Sequence, residues 1–294
     1  MVIKRSAGEK AFSVFNIVFM MFMVVITLYP FWYVVMCSFS DSAQLVGARG
    51  VMLLPKGFSL ASYQAVVQNR NILTGYRTTL IVVVFGTAIN VFMTAICAFL
   101  LTRKKFALRG VMTYMTLFTM YFSGGMIPTY LVVFKWLHLG DTLWALLLPT
   151  AISTYNMIIM RTNFAAIPES LEESAKIDGA NDILILFRII LPLSLPTVAV
   201  MVLFYGVAHW NSWFNALLYI RTRTKYPLQL VLREILIQNT TNAMSGSAGT
   251  TDSYHIGESI KYATIVVATV PILLVYPFIQ KYFVTGVMIG AVKG

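Results

Sequence analysis

The sequence predicts an all-α polytopic membrane protein with six transmembrane helices and with both termini in the cytoplasm. Three observations support this fold class: the composition, a set of long uncharged apolar runs, and the placement of basic residues between those runs. Of the 294 residues, 58% are hydrophobic and only 11% are charged, and the mean hydropathy is +0.76. A soluble domain is about half apolar and about a quarter charged, so this chain needs lipid to cover its apolar side chains.

Apolar stretches of membrane length occur six times. A helix needs roughly 20 apolar residues to cross about 30 Å of hydrocarbon. The stretches that meet this requirement, none with a charged residue near its centre, are 12–37, 78–101, 111–134, 142–160, 193–218 and 262–283. Gly124, Gly125 and Pro128 lie in the third stretch and predict that its outer end is broken into a re-entrant or interfacial piece.

Basic residues in short loops indicate the cytoplasmic side of a membrane protein. They cluster before the first stretch and between the second and third, at Lys4, Arg5, Lys10, Arg103, Lys104, Lys105 and Arg109. Both segments are therefore predicted to be cytoplasmic, and six spans return the C-terminus to the same side. The predicted organisation is a cytoplasmic N-terminus at 1–11 and a transmembrane domain at 12–294, with an external loop at 219–261 and a cytoplasmic tail at 284–294.

The charges and the candidate catalytic residues exclude several function classes. The formal net charge of +11 does not indicate nucleic-acid binding, because the charges separate apolar runs and do not cluster on one soluble face. The sequence contains no GxxxxGK[ST] phosphate loop, so the chain has no visible means of binding ATP. His138, His209 and His255 are scattered, and no nucleophile or metal-ligand cluster shares a predicted face. We predict no catalytic residue, metal site or cofactor site in this chain.

The loop at 161–190 differs from the others because it contains two predicted helices. Pro168 and Glu169 begin the first helix, Gly179 permits a sharp turn, and a second amphipathic helix follows before Pro192. A small, mildly apolar face is offered by Leu171, Ser174, Ala175 and Ala180. This pattern predicts a cytoplasmic helix-turn-helix that lies against the membrane.

The same loop reproduces a known motif. The matching residues are Glu173, Ser174, Ala175, Gly179, Ile189, Leu191 and Pro192. Three residues separate Ala175 from Gly179, and nine separate Gly179 from Ile189. This pattern resembles the EAA loop of bacterial ABC importer permeases, with Ser174 in place of the middle alanine. The strings LEESAKIDGAND and QKYFVTGVMIGAVKG resemble the sugar-importer branch, and the chain is similar to inner-subunit permeases of the maltose, alginate and aldouronate type.

The resemblance implies a permease that moves an alginate-like or aldouronate-like oligosaccharide or polysaccharide across the bacterial cytoplasmic (inner) membrane. In that family the EAA helix docks in a groove of a cytoplasmic ATPase, so closure of the ATPase dimer moves the transmembrane helices. The residues implied to couple to the ATPase are Glu172, Glu173, Ser174, Ala175, Asp178, Gly179 and Ala180. The implied partners are a homologous second permease, two ATPase subunits that bind ATP and Mg²⁺, and an external solute-binding protein.

The fifth apolar stretch contains a polar and aromatic run. Its members are Tyr205, His209, Trp210, Asn211, Trp213 and Asn215. Polar groups are costly in hydrocarbon, so these side chains face other helices or water. One interpretation makes them a sugar translocation path, because aromatic faces, amides and imidazoles bind sugars. The other places the polar groups between helices and the tryptophans at the outer interface. The sequence leaves both interpretations open.

Residues 239–251, NTTNAMSGSAGTT, lack apolar periodicity and predict a mobile outer loop. Such a loop is either a solvated connector or a finger that touches a partner. The resemblance to maltose-type permeases implies the second role, because the corresponding loop there reaches into the binding protein and helps to eject the sugar.

An ion-coupled secondary transporter is the main alternative function. Such carriers usually keep an ionisable group at membrane depth, and of the charged residue types and histidine the predicted span interiors hold only His209. A membrane enzyme is disfavoured by the absence of a catalytic constellation in the sequence. Copurification with an ATPase would distinguish the importer from both alternatives.

Overall fold

The computed structural model describes residues 6–46, 50–244, 259–275 and 277. Throughout these ranges the regular structure is helical, and the one β interaction is an isolated bridge between Ser40 and Phe58. The all-α prediction is therefore confirmed. The chain divides into two compact units, one containing residues up to Asn69 with Glu234–Thr269, and the other containing Arg70–Arg233 with the residues from Val270 onward.

The helices follow one another with short connections. The first seven are α1 (Ala7–Ser38), α2 (Ser42–Val46), α3 (Ala61–Gln68), α4 (Arg70–Thr102), α5 (Arg109–Tyr121), α6 (Met126–Leu131) and α7 (Trp144–Leu147). The next seven are α8 (Thr154–Ala165), α9 (Glu169–Ile177), α10 (Asp182–Ile185), α11 (Leu191–Leu193), α12 (Leu195–Trp210), α13 (Phe214–Tyr219) and α14 (Leu228–Met244). The last is α15 (Ser259–Val275). Turns of π-helix at Val132–Trp136 and Leu186–Ile190 extend α6 and α10, and a 3₁₀ turn lies at Arg223–Lys225.

In the first unit, α1 begins with a capping box. The Ser6 hydroxyl accepts from the Glu9 backbone N–H at 3.2 Å, and the Glu9 carboxylate accepts from the Ser6 N–H at 2.9 Å. The apolar window of α1 that is long enough to cross a membrane has none of its residues buried. A small core elsewhere in this unit contains Cys37, Leu45 and Met52. The apolar surface of α1 therefore has to be covered by lipid or by another chain.

In the second unit, α4 is the central helix and packs against both α12 and α8. Gly86 and Ala98 on α4 leave room for close approach of the neighbouring helices. The main core of this unit lies between these helices and the α10–α11 region, and includes Phe99, Leu101, Met160, Phe164, Ile185, Ile190 and Met201. Movement of α4 must therefore carry α8 and α12 with it, because interiors are close-packed.

Two helices in the described ranges, α1 and α4, are long and apolar enough to cross a membrane, and the count rises to four if each of two bent pairs is one span. One bent pair is α5 with α6 and its π turn, at 116°. The break lies at Gly125, which has φ +87°, so the predicted break of the third stretch is confirmed. The other bent pair joins α10 and α11 to α12 at 86°. The number of six spans stays a prediction.

The fourth and fifth stretches are interrupted where the sequence suggested continuous spans. Pro149 has no N–H to donate, and the chain runs without helix from there until Ser153 caps α8. In the fifth stretch α12 ends at Trp210, where the Asn211 N–H donates to the Val207 carbonyl oxygen at 3.0 Å, and helix resumes at Phe214.

The predicted outer loop at 239–251 begins later than expected. The helix α14 continues to Met244, so the loop assignment was wrong for 239–244, because a helix that is already nucleated propagates through polar residues. The rest of this segment lies outside the described residues, as do the end of the sixth stretch and the tail at 284–294.

Candidate coupling segment and polar cluster

The segment 169–193, here called the α9–α11 segment, has the predicted helix-turn-helix form. Pro168 precedes the first residue of α9, where its missing N–H costs no hydrogen bond. Glu169 and Glu172 lie in the first turn of α9 and Lys176 in the last, so the charges complement the helix dipole. The predicted helix start is confirmed.

Gly179 ends α9 in a Schellman motif. Its φ is +83°, the left-handed region that glycine adopts at low cost. The Gly179 N–H donates to the Lys176 carbonyl oxygen at 3.1 Å, and the Ala180 N–H donates to the Ala175 carbonyl oxygen at 2.9 Å. The predicted sharp turn is confirmed, and its direction is fixed by these two hydrogen bonds.

The second arm of the segment leads directly into the membrane helices. The Asn181 side chain caps α10 by accepting from the Leu184 N–H at 2.8 Å. Across the turn, Lys176 Nζ lies 3.7 Å from Asp182 Oδ1. Helix then continues through Leu193 and bends by 86° into α12. A displacement of the turn is therefore transmitted along this arm to α12.

Two ion pairs join α9 to the turn between α4 and α5. Arg103 donates to both carboxylate oxygens of Glu172, and its Nη2 lies 2.8 Å from Glu172 Oε1. Lys104 Nζ lies 2.5 Å from Glu169 Oε1. The hydrogen bond from Lys104 and its positive charge hold the pKa of Glu169 below its usual range.

The face of α9 that points away from this turn is open. Glu173, Ser174, Ile177 and Asp178 are exposed, and 86% of Ile177 is accessible. Ala175 and Ala180 instead are partly buried against the main core of the second unit. The interpretation of Ala175 as a surface for close approach of a partner therefore needs revision, because its methyl group packs inside this chain.

A polar cluster joins α4 and α12 at the depth of the apolar stretches. His209 Nε2 lies 2.6 Å from Asn90 Oδ1, and the Asn90 amide nitrogen donates to the Thr150 carbonyl oxygen in the unwound part of the fourth stretch. His209 is 7% exposed and Asn90 is 1% exposed. A Cβ placed on Gly86 would lie 2.5 Å from His209 Nε2, so glycine is required beneath the ring.

Tyr205 makes a second connection of the same kind. Its hydroxyl lies 2.7 Å from the Thr94 hydroxyl and accepts from the Ser153 N–H at 3.1 Å. Both polar connections end on the unwound stretch between α7 and α8, whose backbone groups have no helical partners. The cluster therefore holds α4, α12 and this stretch together.

The remaining residues of the predicted substrate path lie apart from the cluster. Trp210 is buried with its ring 6.4 Å from the Tyr76 ring, while Asn211 is exposed at the end of α12. Trp213 and Asn215 are half-buried beyond the break, and the Arg233 guanidinium lies 4.5 Å from the Trp213 ring centroid. The structure does not bring the six residues together, and the contacts of Tyr205 and His209 favour the inter-helix interpretation.

A cavity of 1030 Å³ lies along α4 and α12, and its walls are almost entirely apolar. Leu80, Val84, Phe92, Leu195 and Val202 are typical of its lining. Sugar hydroxyls need hydrogen-bonding partners, which such walls do not offer. The cavity therefore suits hydrocarbon and not a sugar.

Asp141 forms a clamp at the predicted outer side that the sequence reasoning missed. Its carboxylate accepts from the N–H groups of Arg221 and Thr222 at 3.0 and 2.9 Å, and from the Thr222 hydroxyl at 2.6 Å. Lys225 Nζ lies 3.3 Å from Asp141 Oδ2. The hydrogen bonds from Thr222, Arg221 and Lys225 hold the pKa of Asp141 well below its usual range.

The sequence as a whole was compared with known proteins. A family model for the binding-protein-dependent transport system inner membrane component matches residues 90–289. The chain belongs to this family. Among its relatives in Bacillus subtilis are the polygalacturonan/rhamnogalacturonan transport system permease protein YtcP, 44% identical over 94% of this chain and 96% of the relative, and protein LplC, 44% identical over 99% and 97%.

A solved structure is also similar to this member of the binding-protein-dependent transport family. It is a chain of a bacterial ABC transporter involved in the import of the acidic polysaccharide alginate, with a TM-score of 0.85 and 30% identity, covering 95% of this chain and 99% of that chain. Family membership and the names of the relatives make this chain a membrane-bound transporter subunit and not an enzyme. Among the described residues, no group of three His, Cys, Asp or Glu side chains is placed to hold a metal ion.

The functional residues that sequence reasoning missed in this transport subunit are Arg103, Asn90 and Asp141. Arg103 was used only as a sign of orientation, and Asn90 and Asp141 were not singled out. Their partners lie 69, 119 and 80 residues away along the chain, so no local spacing links them. An isolated Asn inside an apolar stretch was the one available signal, because amides in hydrocarbon need partners.

Proposed function

We propose that this chain is one of the two permease subunits of an ABC importer that takes up a uronate-containing oligosaccharide, driven by a separate cytoplasmic ATPase. The observation that carries the proposal is the α9–α11 segment, which presents an exposed face and is tied to membrane helices at both ends. One end is tied through the Arg103–Glu172 pair to α4, and the other continues into α12.

The exposed face of the segment suits a protein partner. Ile177 and Ile183 are 86% and 70% exposed, and Glu173 offers a carboxylate to a basic residue of the partner. A mixed apolar and acidic patch that sits outside the apolar stretches is favourable for docking and not for lipid contact. We assign ATPase contact to Glu173, Ser174, Asp178 and Gly179, while Glu172, Ala175 and Ala180 support the segment from within. ATP and Mg²⁺ would be held by the partner.

The substrate class rests on the relatives and on charge. YtcP is named for polygalacturonan and rhamnogalacturonan, and the similar solved transporter is described as importing alginate, an acidic polysaccharide. Uronate sugars carry carboxylates, and the net charge of +11 on this chain favours the approach of anions. Neutral sugars would gain nothing from this charge.

The remaining partners follow from surfaces that this chain leaves uncovered. The apolar α1 buries none of its membrane-length window, and α5 has no buried residue. A homologous second permease, together with lipid, would cover them. An external solute-binding protein would deliver the sugar to the outer side, where we assign contact with it to the external loop at 219–261.

The test is reconstitution of the full assembly in proteoliposomes, with omission of one component at a time. We expect import of a galacturonate trisaccharide to exceed import of a neutral trisaccharide of equal length, and to vanish without the ATPase or the binding protein. Hydrolysis of ATP by the purified chain alone would contradict the proposal. Sugar uptake by the chain alone under an ion gradient would instead support the secondary-transporter alternative.

A further inference from the structure

The Arg103–Glu172 pair is more than a surface contact. The side chains are 17% and 15% exposed, and the guanidinium donates to both carboxylate oxygens. Such a two-point contact fixes orientation as well as distance, because rotation of either group breaks one of the two hydrogen bonds.

The arginine is also fixed from behind. Its Cζ lies 3.8 Å from the centroid of the Phe99 ring, one turn earlier on the same helix. Arg103 directly follows Thr102, the last residue of α4, and its N–H donates to the Leu100 carbonyl oxygen at 3.1 Å. Phe99 in turn belongs to the main core of the second unit. The guanidinium is therefore a rigid extension of α4.

The neighbouring pair gives an internal comparison. Lys104 and Glu169 make the same type of contact between the same two segments, but their side chains are 76% and 69% exposed. Exposed pairs contribute little because solvent screens them and both side chains lose entropy. Breaking a half-buried pair leaves an unpaired charge in a site of low solvation, which costs more. The two pairs should therefore differ strongly in their mechanical effect.

We infer that Arg103 and Glu172 form a brace through which a displacement of α9 is transmitted to α4, so that α4 and α12 move together when the ATPase closes. The inference rests on the proposed coupling function of the segment. Both are positioning residues, since neither needs to touch ATP or sugar. Without the brace, α9 would still lead into α12 through α10 but would slip against the end of α4.

The test compares Arg103→Gln, Glu172→Gln and the double variant with the control Lys104→Gln in the purified full assembly. The first measurement is hydrogen exchange of the α9 backbone amides, which needs no transport activity. We expect exchange in the Arg103→Gln variant to rise by about tenfold, and exchange in the Lys104→Gln variant to stay unchanged.

The second measurement is the ratio of galacturonate trisaccharide imported to ATP hydrolysed in proteoliposomes. We expect the ratio to fall by about tenfold in each single variant, and the double variant to be no worse than either, because the two residues act as one unit. A merely structural role would lower import and hydrolysis in parallel and leave the ratio unchanged.

The outcomes are distinguishable. Unchanged α9 exchange, or a normal ratio in both single variants, would overturn the brace. If the single variants do not assemble, Arg103→Lys decides: it keeps the charge but loses the two-point contact, so a normal ratio and normal exchange would overturn the inference. Failure of the wild-type assembly to import any sugar would count against the proposed function, while the exchange measurement would still judge the brace.

Discussion

His209 Nε2 lies 2.6 Å from Asn90 Oδ1, and this hydrogen bond joins α12 to α4 between two residues 119 positions apart. The same asparagine donates to the Thr150 carbonyl oxygen, which lies where the fourth apolar stretch has lost its helical hydrogen bonds. One amide thus connects three segments. Such a residue is expected to determine the stability of the membrane-embedded part of the second unit.

Replacing Asn90 by leucine should lower the free energy of unfolding in detergent. The change leaves the His209 ring nitrogen and the Thr150 carbonyl oxygen unpaired, which costs about 1–3 kcal/mol. Thermal unfolding followed by a fluorescent thiol probe measures the shift. The matched control is Asn211→Leu, at an exposed position, which should change stability little. Equal shifts for the two variants would contradict the assigned role of the cluster.

Gly86→Ala should destabilise the chain, because the added Cβ would lie 2.5 Å from His209 Nε2. Overpacking of this kind costs about 1–3 kcal/mol. Gly206→Ala on the facing helix is the control, since its Cβ would lie 3.7 Å from the Thr87 hydroxyl, an ordinary contact. Comparison of the two midpoints of thermal unfolding tests this, and a tolerated Gly86→Ala would show that the ring is free to move away.

Gly179→Val should uncouple ATP hydrolysis from sugar and binding protein without preventing assembly. No atom lies within 4 Å of a Cβ at this position, so the cost is conformational, about 1–3 kcal/mol for a β-branched residue at positive φ. Gly179→Asn, which tolerates this conformation, should keep most of the stimulation. Stimulated ATP turnover in the assembly is the measurement. Unchanged stimulation in the valine variant would show that the turn is not essential.

Asp141→Asn should lower the midpoint of thermal unfolding at pH 7. The folded pKa of Asp141 lies below its unfolded value of about 3.9, so the carboxylate stabilises the fold above that pH and loses this contribution as the pH falls through the folded pKa. The difference between Asp141→Asn and the parent chain should therefore be constant from pH 5 to 8 and shrink below about pH 4. Asp178→Asn in the exposed turn serves as the control. A difference that grows on acidification would contradict this assignment.

Local patterns in the sequence predicted the features that depend on neighbours along the chain. Pro168, Gly179 and Gly125 each act within one turn of helix, and the structure confirms all three positions. The contacts of Arg103, Asn90 and Asp141 depend instead on how distant segments pack. A basic residue in a cytoplasmic turn looks the same whether it is solvated or paired.

Helix ends were also predicted less well where two signals competed. Residues 239–244 have a loop-like composition, but they continue the apolar helix α14. At the end of α12, apolarity continues past Trp210 while the polar residues Asn211 and Ser212 end the helix. Hydropathy alone does not report such breaks, because it measures transfer to lipid and not backbone hydrogen bonding.

The central claim is that the α9–α11 segment docks on the ATPase, and site-specific photocrosslinking in the assembled complex tests it most directly. A crosslinking residue at Ile177, which is 86% exposed, should capture the ATPase subunit, and one at Trp136, which is 77% exposed near the predicted outer side, should not. An assembly that hydrolyses ATP in response to sugar but gives no crosslink from Ile177, or gives equal crosslinks from both positions, would contradict this account.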